Sequence, residues 1–461
     1  MENRGCAVTM KEAKFDTHEL FFSITDYAST ILSGNEVFVR ISGYQKEELI
    51  GQFHNIIRHH DMPKVVFKTL WDHLKNDNPI VAYVKNKTKE GGFYWVLAAV
   101  FPLGERYVSI RIKPNSPIFT TVRELYFKLL IAESKGGMES SEPLMLELLQ
   151  EVGFSGYDHF MSSALLSELN ERKKLLSDVE SDNFEAFHSS SPLCITLKIL
   201  LNYSQTLMQR YEQWFEKIEM FEEVKSMFET KGILLRYLAR DIVFLSLNAS
   251  VASYKVSSGG ETFGVLASDI RVNAKENDRL IEHIHTLALS LSDTLNEFIF
   301  TVSSLRIQIE MVTYFIQETI QKKNDTSIQE LSENLDTLVS LVLLYNQKLD
   351  TLHQKMDCFI QESLNQLEQL EQQVMYLGYI QVYGLIEAAS NDNETIGFEG
   401  IFSQLKSLIQ NTSEEVSQMQ KMGINFHTEN RSLLQKSNAV TTMIHQFQRE
   451  SERIKTMEVS Q

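Results

Sequence analysis

Apolar and polar residues follow two different periods along the chain. Between about residues 20 and 115, short runs such as VAYVKNK, FYWVLAAVFPL and YVSIRI are separated by turn residues, which include Gly91 and Gly92. Runs of this length that are rich in β-branched and aromatic residues predict β-strands. From about Thr120 the apolar spacing becomes helical. The pattern therefore predicts a small mixed α/β domain that is followed by a long helical region.

Beyond a polar stretch at residues 189–192 (SSSP), which we interpret as a linker, the apolar repeat is seven residues long. Two stripes, within residues 281–316 and 328–359, alternate steps of three and four. A third stripe has an apolar residue at every seventh position: Leu200, Leu207, Trp214, Phe221, Phe228, Leu235 and Ile242. A seven-residue repeat is typical of helices that wind around one another, so these residues are predicted to form a core.

The helical region also contains an internal repeat. The segment NASVASYKVSSGGETFGVLASDIR aligns with GLIEAASNDNETIGFEGIFSQLK at an offset of 135 residues, so that Val251 pairs with Ile386 and Phe263 with Phe398. Each copy is predicted to form a helix, a short polar turn and a second helix. The chain is therefore predicted to reverse its direction near residues 258, 325 and 393, with four segments of about 60 residues between the ends and the turns.

The repeat predicts the domain organisation. We expect a sensor domain at residues 15–117, a helical connector at 118–190 and an antiparallel four-helix bundle at 193–457, built within one chain as a pseudo-dimer. The two hairpin tips, near residues 251–263 and 386–398, should lie at the same end of the bundle. Dimerisation through the N-terminal domain stays open.

Composition restricts the partners. The net charge of the 461 residues is −17, which argues against nucleic acid and anionic membrane surfaces as ligands. The three cysteines are far apart in the sequence and form no CxxC pair. We find no signal sequence, and the most apolar segment, EFIFTVSSLRIQIEMVTYFI, is interrupted by Arg306, Gln308 and Glu310. We therefore expect a cytoplasmic protein without a transmembrane segment.

One short stretch is unusually rich in polar and charged residues. The sequence HNIIRHHDMP, residues 54–63, contains three histidines, an arginine and an aspartate. Its residues could bind a metal, hold a polar cofactor, or cap helices and pair charges. A metal site needs about four converging ligands, and adjacent histidines such as His59 and His60 rarely point the same way. We predict no metal site. Because the chain lacks GxSxG, HExxH and Walker A motifs, we assign no catalytic residues.

Several segments resemble the PAS domain of bacterial aerotaxis receptors: NEVFVRISGYQKEELIGQFHNIIRHHDMPKVVFKTLW, VKNKTKEGGFYWVLAAVFP and VSIRIK. The resemblance covers about 100 residues, with His60 in the place of the family's proline. It implies an α+β PAS domain, a five-stranded antiparallel sheet with helices, which binds FAD and senses redox state. Haem, which other PAS domains bind through histidine, is the alternative cofactor. The cofactor-binding residues that the resemblance implies are Asn35, His54, Arg58, His59, Asp61, Trp71, Asn86 and Trp95.

Both repeat copies resemble the hairpin tip of chemoreceptor signalling domains, through LNASVASYKVSSGGETFGVLASDIR and LIEAASNDNETIGFEGIF. The family's glutamate is replaced by Ala252, and its arginine by Lys255 in the first copy and Ser390 in the second. These polar positions serve receptor clustering and kinase coupling in that family. The resemblance implies the chemotaxis histidine kinase and its coupling protein as partners.

The resemblances together predict a cytoplasmic redox or oxygen sensor for energy taxis. A PAS domain with FAD would signal through residues 118–190 into a chemoreceptor-like helical bundle. Two alternatives remain. The protein could be an interaction scaffold that keeps the sensor, has lost kinase coupling and regulates another process, or it could be a flavoenzyme.

Overall fold

The structure, a computed structural model, describes residues 11–177, 191–254, 260–321, 327–390 and 396–457. The predicted turns near 258, 325 and 393 lie outside these ranges, as do Lys255 and the first two residues of the predicted linker at 189–192, while Pro192 of that linker already belongs to a helix.

The N-terminal domain contains the five-stranded sheet that was predicted. All neighbouring strands are antiparallel, in the order β2-β1-β5-β4-β3. The strands are β1 (Phe21–Asp26), β2 (Ile31–Gly34), β3 (Ile80–Lys87), β4 (Phe93–Leu103) and β5 (Arg106–Ile112). Between β2 and β3 lie α1 (Glu36–Ser42), α2 (Lys46–Leu49), a 3₁₀ turn (His54–Ile57) and α3 (Lys64–Lys75). The turn after α1 requires Gly43, which has a φ of 74° and whose N–H closes the helix on the Arg40 carbonyl.

Both faces of this sheet are covered: alternate residues of each strand point to opposite sides, and both sets are mostly buried in β1, β4 and β5. On the inner face, Phe21 stacks against Phe38 of α1, and Tyr107 contacts Trp71 of α3. The outer face is covered by α4 (Pro117–Gly136) and α6 (Tyr157–Ser177), while α5 (Met138–Glu151) packs against α4.

A buried carboxylate fastens α6 to the outer face. Glu168 is 1% exposed and accepts hydrogen bonds from the Asn115 and Ser116 N–H groups, at 2.7 and 3.0 Å. The hydroxyls of Ser116 and Tyr83 donate to its other oxygen, both at 2.8 Å. Four donors compensate the burial of this charge. Because Ser116 is the N-cap of α4, the same carboxylate lies at the start of that helix, where a negative charge is favourable.

The helical region consists of α7 (Pro192–Phe215), α8 (Ile218–Ser253), α9 (Gly260–Gln321), α10 (Ile328–Ser390) and α11 (Ile396–Met457). The last three helices have 62, 63 and 62 residues, close to the predicted 60. The first predicted helix is interrupted, which is a correction: it ends at Phe215 and restarts at Ile218. Trp214 and Phe215, the last two residues of α7, are both buried, and the interruption follows them directly.

The chain divides into two compact units. The first consists of Met1–Phe215, Ile299–Leu349 and Asn438–Gln461, and the second of Glu216–Phe298 and Asp350–Ser437. The predicted boundaries at 117, 190 and 193 stay predictions.

In the second unit four helices run antiparallel to their neighbours. As residue numbers rise along α8 they fall along α9, where Phe221 contacts Phe298 and Arg236 pairs with Glu282. The same holds for the other three pairs of neighbouring helices. Helices α9 and α10 meet through Phe298–His353 and Asn273–Gln373. Helices α10 and α11 meet through His353–Asn430 and Gln420–Glu371, and α8 and α11 meet through Phe221–Phe426 and Lys231–Glu415. This unit is therefore an antiparallel four-helix arrangement, as the heptad stripes predict.

The two copies of the repeat meet at equivalent positions. Phe263 and Phe398 stack with their ring centroids 4.2 Å apart, within a buried cluster to which α8, α9, α10 and α11 all contribute. The predicted proximity of these two residues is confirmed. The second hairpin differs from the first inside this cluster, because Gly384 leaves room for the ring of Phe402 where the first copy has the buried residues Ala249 and Ala267.

In the first unit the outer face of the sheet also packs against α9 and α10. Phe22 of β1 contacts Phe315 edge-on, and Phe101 of β4 contacts Tyr345 in the same way, both with centroids 5.2 Å apart. The N-terminal domain is thus in direct contact with helices that begin about 200 residues further along the chain.

By length and composition, one helical segment among the described residues could span a membrane. It runs from Glu261 to Gln321, and 83% of its most apolar window is buried within the protein. A buried core helix of a soluble protein has the same composition, so this burial accounts for its apolar character.

Gly384→Ala should destabilise the protein even though alanine is the better helix former. The added Cβ would overlap the Phe402 ring, and overpacking of this kind typically costs about 1–3 kcal/mol. Gly378 of the same helix has open space around its Cα, so Gly378→Ala should instead stabilise by about 1 kcal/mol. Urea unfolding of both variants, followed by circular dichroism, checks this. Equal stabilisation by both changes would contradict the close packing at Gly384.

Candidate functional site

A cavity of about 300 Å³ lies on the inner face of the sheet, bordered by the 3₁₀ turn and α3. Its apolar wall includes Phe67, Leu70 and Trp71 of α3 together with Val84, Ala98 and Val100 of the sheet. Its polar residues include Ser23, His54, Asn86, Ser109 and Arg111. A mostly apolar cavity with a few converging polar groups is the usual form of a small-molecule site.

Arg111 is the most unusual group in this cavity. Its side chain is 3% exposed, and its Nη2 donates to Ser23 Oγ at 2.9 Å and to His54 Nε2 at 2.7 Å. No acidic side chain in the described ranges forms an ion pair with it. Burial lowers the pKa of Arg111 to about 10, so the guanidinium remains charged at neutral pH. The sequence prediction missed this residue, although it stands at an inward position of the VSIRIK strand.

The contact with Arg111 fixes the protonation of His54. A guanidinium can only donate hydrogen bonds, so His54 Nε2 must accept and the ring proton must lie on Nδ1. Burial, with the charge of Arg111 as a second cause, lowers the pKa of His54 to about 3. His54 is therefore a neutral ring that presents an N–H donor.

Several buried polar atoms around the cavity lack a hydrogen-bond partner within the described part of the chain. They are Asn86 Nδ2, Ser109 Oγ and Arg111 Nη1. A buried polar group without a partner is costly, and a ligand that supplies acceptors would remove that cost.

Four of the eight residues implied by the resemblance line the cavity: His54, Arg58, Trp71 and Asn86. The guanidinium of Arg58 lies 3.7 Å from the ring centroid of Phe67, and burial lowers its pKa from the usual value. Asn86 pairs with Arg58 through a backbone bridge. The cofactor-binding role of these residues stays a prediction.

The other four residues do not line the cavity. Trp95 lies on the outer face, against Phe119 and Tyr126, because it occupies the alternate position of β4. Asn35 is buried at the start of α1, where its oxygen accepts the Phe22 N–H at 3.1 Å. Neither position was evident from the local motif.

His59 and Asp61 form a separate cluster with His60. The rings of His59 and His60 stack with centroids 4.3 Å apart, and ligand atoms of all three residues lie within 4.8 Å of one another. The expectation that the adjacent histidines point apart is therefore wrong. However, Asp61 is paired with Lys85 at 2.6 Å, and His59 Nδ1 accepts the Asp61 N–H at 3.0 Å. A cation would have to displace an ammonium group that is already there.

Comparison with known proteins identifies the class of this domain. A family model described as the PAS fold matches residues 31–112. The N-terminal domain is a PAS domain, as its sheet and cavity indicate.

The N-terminal part is similar to one particular protein, the aerotaxis receptor of Escherichia coli (strain K12). The two are 38% identical over 124 residues, which cover 26% of this chain and 24% of the receptor. The predicted resemblance is confirmed over this region. The chain spans about a quarter of the length of this curated relative.

Two solved structures are also similar. A LOV domain from a blue-light activated histidine kinase of Erythrobacter litoralis is 16% identical and covers 20% of this chain and 94% of its own, with a TM-score of 0.20. The LOV domain of the blue-light photoreceptor Aureochrome1, in its dark structure, is 20% identical and covers 23% and 85%, with a TM-score of 0.21.

The low pKa of His54 should make the protein less stable in mild acid. In the unfolded chain a histidine has a pKa near 6.5, whereas folded His54 stays neutral down to a pH of about 3. Below pH 6.5 the unfolded state therefore binds a proton that the folded state does not. The unfolding free energy should fall by up to about 1.4 kcal/mol per pH unit from this group, as the pH drops from about 6.5 towards 3.

Urea unfolding at several pH values between 7 and 5 measures this slope. His54→Gln should reduce it, and the matched control is His445→Gln on the exposed surface of α11. The same slope in both variants would show that His54 protonates freely in the folded protein.

Proposed function

We propose that this protein is a redox sensor whose PAS domain binds FAD in the inner-face cavity and signals through the helical region. The main support is the cavity itself, which lies in a domain similar to the aerotaxis receptor and combines an aromatic wall with unpartnered buried donors. The sensed signal would be the redox or oxygen state of the cell, and the protein would act in the cytoplasm.

The cavity residues fit an isoalloxazine ring. Phe67 and Trp71 provide an apolar wall for the flat ring system, and Asn86 Nδ2 and Ser109 Oγ can donate to acceptors on its polar edge. Arg58 is partly exposed at the cavity, where a guanidinium suits a phosphate group. When bound, the flavin would supply a reversible change of redox state.

Haem is less well supported as the cofactor. Haem that is bound through histidine needs a ring nitrogen whose lone pair is available to the iron. The lone pair of His54 Nε2 is already used, because Arg111 donates to it and Ser23 Oγ lies 3.1 Å away. Flavin requires no such ligand.

The outer face of the same sheet offers a direct route to the helices. Phe22 contacts Phe315 of α9 and is next to Ser23, which lines the cavity. Phe101 contacts Tyr345 of α10 and is next to Val100, which also lines it. A change of hydrogen bonding in the cavity is thus one residue away from the helix contacts. We propose this route in addition to the predicted route through residues 118–190.

The proposed output is control of the chemotaxis histidine kinase through its coupling protein. Both hairpins retain parts of the chemoreceptor pattern, and their exposed residues near the tips include Leu247, Val251 and Ile386. Ala252, in the place of the family's glutamate, favours a second candidate function, a sensor-bearing interaction scaffold without kinase coupling. Kinase activity measured with the coupling protein, at two redox states of the sensor, separates the two.

The purified protein should be yellow and release FAD on acid treatment. Trp71→Leu removes an aromatic wall of the cavity and should weaken FAD binding about tenfold, since such contacts contribute about 0.5–1.5 kcal/mol beyond burial. Trp95→Leu is the matched control, because Trp95 lies on the outer face. A colourless protein that takes up no added FAD, or a haem spectrum, would exclude the flavin proposal.

Phe315→Ala should leave FAD bound but weaken the signal to α9. The change removes the aromatic contact with Phe22 and touches no cavity residue. Hydrogen exchange of the α9 amides, compared between oxidised and reduced protein, should then lose its redox dependence. Leu289→Ala, at an exposed position of the same helix, should retain it. An unchanged response in Phe315→Ala would argue against the direct route.

A further inference from the structure

The charge of Arg111 has no counter-ion among the described residues. It is 3% exposed, and its neighbours are the Ser23 hydroxyl, the neutral ring of His54 and the rings of Phe21 and Phe38, whose centroids lie 5.6 and 5.4 Å away. Hydrogen bonds and aromatic faces reduce the cost of a buried cation but do not neutralise it. Buried charges in proteins are normally paired, so an unpaired one is a feature to explain.

Arg111 lies at the wall of the cavity and has a hydrogen-bond donor, Nη1, that is buried and unused within the described ranges. The other polar groups there cannot supply negative charge. Asn86 Nδ2 is a donor, His54 presents an N–H, and Ser109 is an uncharged hydroxyl. The cavity is therefore rich in hydrogen-bond donors, and its buried charge is positive.

We propose that Arg111 serves as the counter-ion of a negatively charged ligand, so that the site binds the reduced, anionic form of its flavin more tightly than the neutral oxidised ring. The inference rests on the proposed function. Reduction of an oxidised flavin by two electrons and one proton leaves one negative charge on the ring system. A fixed cation in the same cavity would stabilise the negative charge that reduction creates, because the oxidised ring is uncharged.

A preference for the reduced state raises the midpoint potential of the flavin, since the protein binds the reduced flavin more tightly than the oxidised flavin. Arg111 would then set the threshold at which the sensor responds. Arg111 itself would neither accept nor donate electrons. In the test, dithionite supplies the electrons.

The experiment uses the full-length protein loaded with FAD. The midpoint potential is measured by spectroscopic titration with dithionite, and the affinity for oxidised FAD is measured separately by fluorescence. Arg111→Met removes the charge and keeps an unbranched chain. We expect its preference for the reduced form to fall at least about tenfold, which for a two-electron couple lowers the potential by about 30 mV.

Two further variants serve as controls. Arg111→Lys restores a positive charge and should recover most of the potential. Arg106→Met removes an exposed arginine from the same strand, where it contacts Thr337 rather than the cavity, and should leave the potential unchanged.

The outcomes separate this inference from the proposed function. FAD binding with the same potential in wild type and Arg111→Met overturns only the inference. A wild-type protein that binds no FAD overturns the proposed function and the inference with it. If Arg111→Met does not fold, the midpoint potential of the wild-type protein tests the inference by itself. FAD bound to the wild type should have a more positive potential than free FAD. An equal or lower value refutes the role of Arg111.

Discussion

The sheet of the PAS domain is covered on both faces, and most of the other features depend on this constraint. Each strand must supply one set of side chains for the cavity and another for the helices outside it. On β4, Val100 borders the cavity while Phe101 packs against Tyr345. The side chains on one face cannot relax into solvent when those on the other face move, because protein interiors are densely packed and hardly compressible. The sheet therefore connects the cavity to the helices through its own backbone, and the function that we propose follows from that connection.

The sequence predicted those parts of the structure that depend on local periodicity. The alternating runs correspond to the strands, and the heptad stripes correspond to helices of nearly the predicted length. The internal repeat also predicted that Phe263 and Phe398 lie together. The interruption at residues 216 and 217 was not predicted, because the seven-residue stripe continues through it from Trp214 to Phe221 without a change of spacing.

The candidate site was less predictable, since it depends on the face to which each strand residue points and on contacts between distant segments. Trp95 and Trp71 looked equivalent in the motif, but the pleat of β4 directs Trp95 outwards. Arg111 was overlooked because an arginine in a strand is usually exposed, whereas this one is 3% exposed. The hydrogen bond from Asn35 to Glu318 joins residues 283 positions apart, a distance over which no local pattern carries information.

The presence of two hairpins in one chain has a consequence for how the four-helix arrangement can change in evolution. In a homodimer every mutation occurs in both subunits. A larger side chain must therefore fit the packing at two equivalent positions at the same time. Within the four-helix arrangement of this chain, each position occurs once. The second hairpin combines Gly384 with Phe402, while the first keeps Ala249 and Ala267 at the equivalent places. A single gene can thus specialise one tip and conserve the other, an asymmetry that separate subunits would reach only through gene duplication and selective pairing.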